Sequence, residues 1–237
     1  MKYLFKNKHL NHEAINNNFV MLLLYHSANP TSLFLAWLSI SPNAITSLSI
    51  IFSLVAFLFL ILNLNPLFFI VFWFFSIHLD FCDGTVARMT NKQSKNAFNY
   101  DHMSDIFKIF LIFLGVGIKY NSLVVWVLTS TSIFSFLFMS ILNHDYSSFS
   151  VNLKSRNNYQ NSLKKESELK RNIKKLLRFP VLIHFSTIFF TINAHTLLGF
   201  FIFPLGEKYA ITFLSYFSII SIFLSIRIIK KLIVLKV

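Results

Sequence analysis

Asp80, Asp83, Asp101 and Asp105 lie in one short stretch, LDFCDGTVARMTNKQSKNAFNYDHMSDIF from Leu79 to Phe107, of a chain with only nine acidic residues. Asp80 and Asp83 are three apart and Asp101 and Asp105 four apart, so on helices each pair shares a face. Two neighbouring antiparallel helices could turn all four carboxylates toward one point. Within a membrane, each would cost about 2.5–3.5 kcal/mol near a helix centre and less near the interface. Like charges at close range also repel, and cations answer both problems. Hard divalent ions such as Mg²⁺ or Mn²⁺ take oxygen ligands and bind carboxylates together with substrate phosphates. Four carboxylates leave room for two ions, an arrangement suited to displacement at phosphorus. The plainer alternative is a structural cluster paired with Arg88, Lys92 or Lys108.

The residues between the aspartates favour phosphate chemistry. Gly84 is the only glycine in the first 114 residues and follows Asp83 directly. A missing side chain there admits a ligand or another backbone. Ala87, also small, continues that face, and Arg88 offers a fork of donors to a phosphate.

These residues must be positioned by helices in a membrane. The chain has 237 residues, is 55% hydrophobic and includes 30 Phe, and several of its apolar runs reach the ~20 residues needed to cross a bilayer. The expected fold class is all-α: a polytopic membrane protein with six transmembrane helices and an N-terminal interfacial helix. Residues 1–42 would form a polar tail, 1–18, followed by an amphipathic interfacial helix in PTSLFLAWLSI, Pro30 to Ile40. Residues 43–237 would form one catalytic domain with spans Asn43–Leu62, Leu67–Arg88, Ala97–Ile118, Leu123–Leu142, Val181–Phe203 and Tyr209–Ile226. A long basic loop, 144–178, separates the fourth span from the fifth. The single cysteine, Cys82, excludes an internal disulfide. The short apolar run Phe19 to Tyr25 is not followed by a cleavage site, so no cleavable leader is expected.

The formal charge of +13 would suit nucleic acid, but its distribution speaks for the membrane. Of 22 Lys and Arg, only Lys119 and Lys208 fall on one side of the expected topology. That asymmetry is the positive-inside pattern: both termini and the aspartates face the cytoplasm. Attraction to anionic membrane lipids accounts for the remaining excess, and no nucleic-acid partner is needed.

The stretch resembles the signature of the CDP-alcohol phosphatidyltransferases, D-x-x-D-G-x-x-A-R-x8-G-x-x-x-D-x-x-x-D. Asp80, Asp83, Gly84, Ala87, Arg88, Asp101 and Asp105 match seven of its eight fixed positions; Ala97 stands where the family has glycine. SPNAIT at 41–46 also looks like the family's usual lead-in to the first span. The resemblance implies that the four aspartates hold two Mg²⁺ or Mn²⁺ ions. It implies that Gly84, Ala87, Arg88 and Ala97 line the CDP site, with Asn43 and Thr46 as diphosphate contacts. Asp105 would also be the general base that deprotonates the acceptor. The implied reaction takes a CDP-linked lipid such as CDP-diacylglycerol and a small alcohol and releases CMP, in phospholipid biosynthesis. A homodimer is implied as well.

The acceptor is open among serine, glycerol phosphate, inositol, inositol phosphate, choline and others. A phosphorylated acceptor would call on Lys108, Lys174, Lys175 or Arg178, whose plainer use is snorkelling to the interface. Of His78, His102, His184 and His195, only His102, beside Asp101, is placed near the ligands, as a residue supporting them. Three alternatives remain: an intramembrane prenyltransferase that binds Mg-diphosphate, a divalent-cation transporter, and a degenerate relative acting only as a partner.

Overall fold

The computed structural model describes residues 19–92, 95–154 and 199–236. It consists of helices α1 (Phe19–Trp37), α2 (Pro42–Ile61), α3 (Pro66–Met89), α4 (Lys95–Tyr120), α5 (Leu123–Lys154) and α6 (Glu207–Lys236), with a 3-10 turn at Phe200–Leu205. Among the described residues there is no strand. Among the described residues four helices are long and apolar enough to cross a membrane: α2, α3, α5 over Leu123–Asn143, and α6 over Glu207–Ile233.

Several helix bounds differ from those expected. α1 runs through Pro30 and takes in the apolar run from Phe19 that the sequence left unassigned, so it is a 19-residue helix rather than a short one from Pro30 to Ile40. Proline removes one helical hydrogen bond without ending a helix that a neighbour braces. Here α3 is that neighbour: Thr31 Oγ1 and His78 Nε2 are hydrogen-bonded at 2.9 Å, and the Cys82 thiol donates to the Ala28 carbonyl at 3.6 Å. α5 continues to Lys154, so the first part of the expected 144–178 loop is helical. α4 has the length of a span but carries Asp101, Asp105 and Lys108, and composition alone does not mark it as one. The expected fifth span lies outside the described residues up to residue 198, and Phe200 to Phe203 belong to the 3-10 turn instead of an α-helix.

Short polar residues punctuate the first four helices. Ser41 caps α2 by accepting from the Ala44 N–H at 3.3 Å, and Asn65 caps α3 by accepting from the Leu67 N–H at 3.0 Å, each followed by a proline in the first turn. Ser39, Asn63, Asn91 and Asn121 take positive φ just past the ends of α1 to α4. The Ile40, Leu64 and Lys92 N–H groups reach back five residues to the Leu35, Phe59 and Ala87 carbonyls. That is the Schellman closure, and asparagine tolerates its left-handed residue. α2 to α5 run antiparallel to their neighbours in sequence, and α1 packs on α3.

The bundle is apolar outside, and its interior combines a large apolar core with small buried serines and threonines. Leu48, Ile51, Leu54 and Leu58 form an exposed stripe on α2, while Ser49 and Ser53 on the same helix are buried. Ser76 Oγ donates to the Ser49 carbonyl at 2.8 Å, tying α3 to α2, and Ser132 and Ser218 tie α5 to α6 at 2.8 Å. Lipid tails leave apolar faces outward and reward small polar residues between helices. α3 and α4 each pack on α2 more closely than on one another. Gly115 permits the α2–α4 approach, since a Cβ there would lie 2.9 Å from Leu60 and 3.0 Å from Phe57. At the other end of the bundle Phe113 meets Phe200, Phe203 and Phe217 edge-on, at 5.0–6.3 Å between ring centroids. Each such pair contributes about 0.5–1.5 kcal/mol beyond its buried area.

Candidate active site

The start of α2, the end of α3 and the start of α4 lie at one end of the bundle, because two tight antiparallel connections return the chain there. The last turns of α3 carry Asp80, Asp83, Gly84, Ala87 and Arg88; the first half of α4 carries Ala97, Asp101, Asp105 and Lys108; α2 adds Asn43, Thr46 and Ser49.

Asp80, Asp101 and Asp105 converge across the two helices, each offering a carboxylate oxygen within 4.8 Å of the others. Asp83 stands outside that group. It is 3% exposed, accepts from Thr46 Oγ1 at 2.5 Å and accepts the Gly84 N–H. Asp83 is thus tied to a third helix as well as carried by α3. α2, packed against both α3 and α4, reaches Asp83 through Thr46.

One cation already sits among these groups. Lys108 Nζ pairs with Asp80 and, at 2.9 Å, with Asp105, and lies 3.5 Å from Ser49 Oγ. Its side chain is 5% exposed, against 23% for Asp80 and 43% for Asp105. A single ammonium against three converging carboxylates leaves an excess of negative charge. An all-oxygen donor set partly open to solvent suits a hard divalent ion. Asp80, Asp101 and Asp105 thus fit Mg²⁺ or Mn²⁺ by the chemistry of their donors.

The residues expected to line the CDP site leave room beside Arg88. A Cβ added to Gly84 would meet only Arg88, its Nη1 at 3.4 Å and its Nη2 at 3.9 Å, so the glycine leaves space beside the guanidinium. Arg88 Nη2 donates to Thr85 Oγ1 at 3.1 Å, and its Cζ lies 5.8 Å from the centroid of the Tyr25 ring on α1. Ala87 is half-buried, Asn43 is exposed in the first turn of α2, and Ala97 lies in the first turn of α4, where the backbone alone is described.

Some of these partnerships escaped the sequence. Ser49 lies three residues after Thr46, a same-face spacing that could have brought it in. Tyr25 had no such signal. His102 bonds Ser140 on α5 at 3.2 Å and His78 bonds Thr31 on α1, contacts that join packed helices. His184, His195, Lys174, Lys175 and Arg178 lie outside the described residues.

A family model of CDP-alcohol phosphatidyltransferases matches residues 39–165, more than half of the chain and all of the stretch just described. No curated protein matches the sequence.

Proposed function

Because the chain belongs to the CDP-alcohol phosphatidyltransferase family, we propose that it transfers the phosphatidyl group of a CDP-linked lipid such as CDP-diacylglycerol to the hydroxyl of a small alcohol, releasing CMP. The observation that carries this reading is the convergence of Asp80, Asp101 and Asp105 beside the open face of Gly84 and the Arg88 guanidinium. The prenyltransferase and cation-transporter alternatives lose their motivation once the family is known.

The residues divide the work by charge. Arg88 presents a planar fork to the donor's diphosphate, and Gly84 lets that group approach the α3 backbone. Thr46 holds Asp83 in one orientation through a charge-assisted hydrogen bond. Asp105, the most exposed of the paired carboxylates, is placed to take the proton of the acceptor hydroxyl. The freed oxygen attacks the lipid-bearing phosphorus, the bond to CMP breaks, and CMP leaves with the electron pair. Two Mg²⁺ or Mn²⁺ ions held by Asp80, Asp83, Asp101 and Asp105 would supply neutralisation of the diphosphate charge.

Asn43, Ala87 and Ala97 belong to the CDP-binding surface in this reading, and both termini and the site face the cytoplasm of a homodimer. The lipid tails stay in the bilayer while CMP departs into water. Lys108 pairs with Asp80 and Asp105.

The test is CMP release by the purified protein in liposomes, with CDP-diacylglycerol, Mg²⁺ or Mn²⁺, and a panel of alcohols. Release with one acceptor, lost on chelation and in Asp105→Asn, is expected. Silence with every acceptor, together with no metal-dependent binding of the CDP-lipid, would refute the activity.

A further inference from the structure

Lys108 plays a part that the transfer reaction does not require. Among the described residues it is, with Asp83, one of two ionisable side chains of Asp, Glu, Lys or Arg that are buried. It projects from α4, reaches Asp80 on α3 and Ser49 on α2, and lies one turn beyond Asp105. α3 and α4 lean on α2 rather than on each other, so the Asp80–Lys108–Asp105 pairing is a direct bond between the two helices that supply the ligands. Without a cation there, carboxylate oxygens within 4.8 Å of one another would repel and drive the helices apart. Asp80 and Asp105 are also two of the three carboxylates that would hold a divalent ion.

We propose that Lys108 is a tethered stand-in cation: its ammonium occupies the place between Asp80 and Asp105 in the metal-free protein and must leave it when a divalent ion enters. Lys108 is thus a positioning residue. It keeps the ligands assembled before the ion arrives, and it competes with the ion, so that metal affinity is set below what the carboxylates alone would give. The inference rests on the reading of the aspartates as metal ligands.

The test is Mn²⁺ binding to the full chain in detergent, without substrate, for the unmutated protein, Lys108→Met and Lys108→Arg. Removal of a like charge from between two ligands is expected to tighten Mn²⁺ binding about tenfold or more. Lys108→Arg keeps the charge and should bind Mn²⁺ no more tightly than the unmutated chain. In chelator the Lys108→Met protein should melt below the unmutated one, and Mn²⁺ should raise its melting temperature by more. A lysine that only braced the fold would lower the melting temperature without tightening the metal. Unchanged or weaker Mn²⁺ binding by Lys108→Met overturns the proposal.

A second measurement does not depend on the variant folding. Amine-reactive labelling of the unmutated protein, read by peptide mass spectrometry, should find Lys108 protected in chelator and labelled several-fold faster in Mn²⁺. Equal protection in both overturns the displacement. If the unmutated chain binds no Mn²⁺, the metal reading itself fails; if it binds Mn²⁺ regardless of Lys108, this proposal alone fails.

Discussion

Gly84→Ala separates the site's architecture from its use of space. In the fold the new methyl meets only the Arg88 guanidinium, at 3.4 and 3.9 Å, which is ordinary contact with the end of a flexible side chain. Gly84 lies inside α3 without positive φ, so alanine fits the backbone. Alanine is the better helix former by about 0.5–1 kcal/mol. On the scale of soluble domains this size, that raises the melting temperature by roughly 1–4 °C. The effect on the donor has the opposite sign. A methyl placed where the diphosphate meets the α3 backbone overfills the contact, typically at about 1–3 kcal/mol. That corresponds to a KM for the CDP-lipid raised roughly 5- to 150-fold. Because the methyl obstructs ground state and transition state alike, kcat should change far less than KM. The assays are a thermal melt in detergent and CMP release against CDP-lipid concentration. A variant with unaltered KM would refute the argument that the donor approaches Gly84. A drop of several degrees in melting temperature would refute the open face itself.

Gly115 provides the contrast, since a Cβ there would sit 2.9 Å from Leu60 and 3.0 Å from Phe57. Gly115→Leu should force α2 from α4 and lower the melting temperature by several degrees, with activity lost as a consequence; an unchanged melt would contradict the packing. Thr46→Val, nearly isosteric, deprives the buried Asp83 carboxylate of its hydroxyl donor. A cost of about 1–3 kcal/mol is expected in thermal or chemical denaturation, and Thr46→Ser should restore most of it. If valine and serine behave alike, the hydroxyl is not what holds Asp83. Asp105→Asn keeps the shape of the side chain but removes its charge, so CMP release should vanish and Mn²⁺ binding weaken; a variant that still turns over excludes Asp105 as the base.

The features legible in the sequence are those fixed within one helix or one turn. The i, i+3 and i, i+4 spacing of the aspartates depends on local backbone geometry, and α2 and α3 start at Pro42 and Pro66, each one residue before the expected Asn43 and Leu67. α1 was harder, because apolar residues facing lipid and apolar residues facing protein look the same in a membrane sequence. The stretch from Phe19 to Tyr25 offered no periodicity to join it to the residues after Pro30. What joins them is α3, through His78 and Cys82, residues about fifty positions away.

The site divides along the same line. Which carboxylates take part could be read from spacing, but their cross-helix partners depend on where α2 holds α3 and α4. Thr46 was expected at the diphosphate, and the structure adds that its hydroxyl donates to Asp83, because the first turns of α2 pack beside the end of α3. Lys108 was compatible with three roles: partner to the aspartates, clamp for a phosphorylated acceptor, or snorkelling residue. A lysine stem is long enough for any of them. Its burial between Asp80 and Asp105, with Ser49 at its side, shows the first of these in the structure. The carboxylates therefore meet a cation whether or not a metal is present. On the proposed role of Lys108, their readiness for metal is a balance between a tethered charge and a free one, held on two helices that both pack on α2.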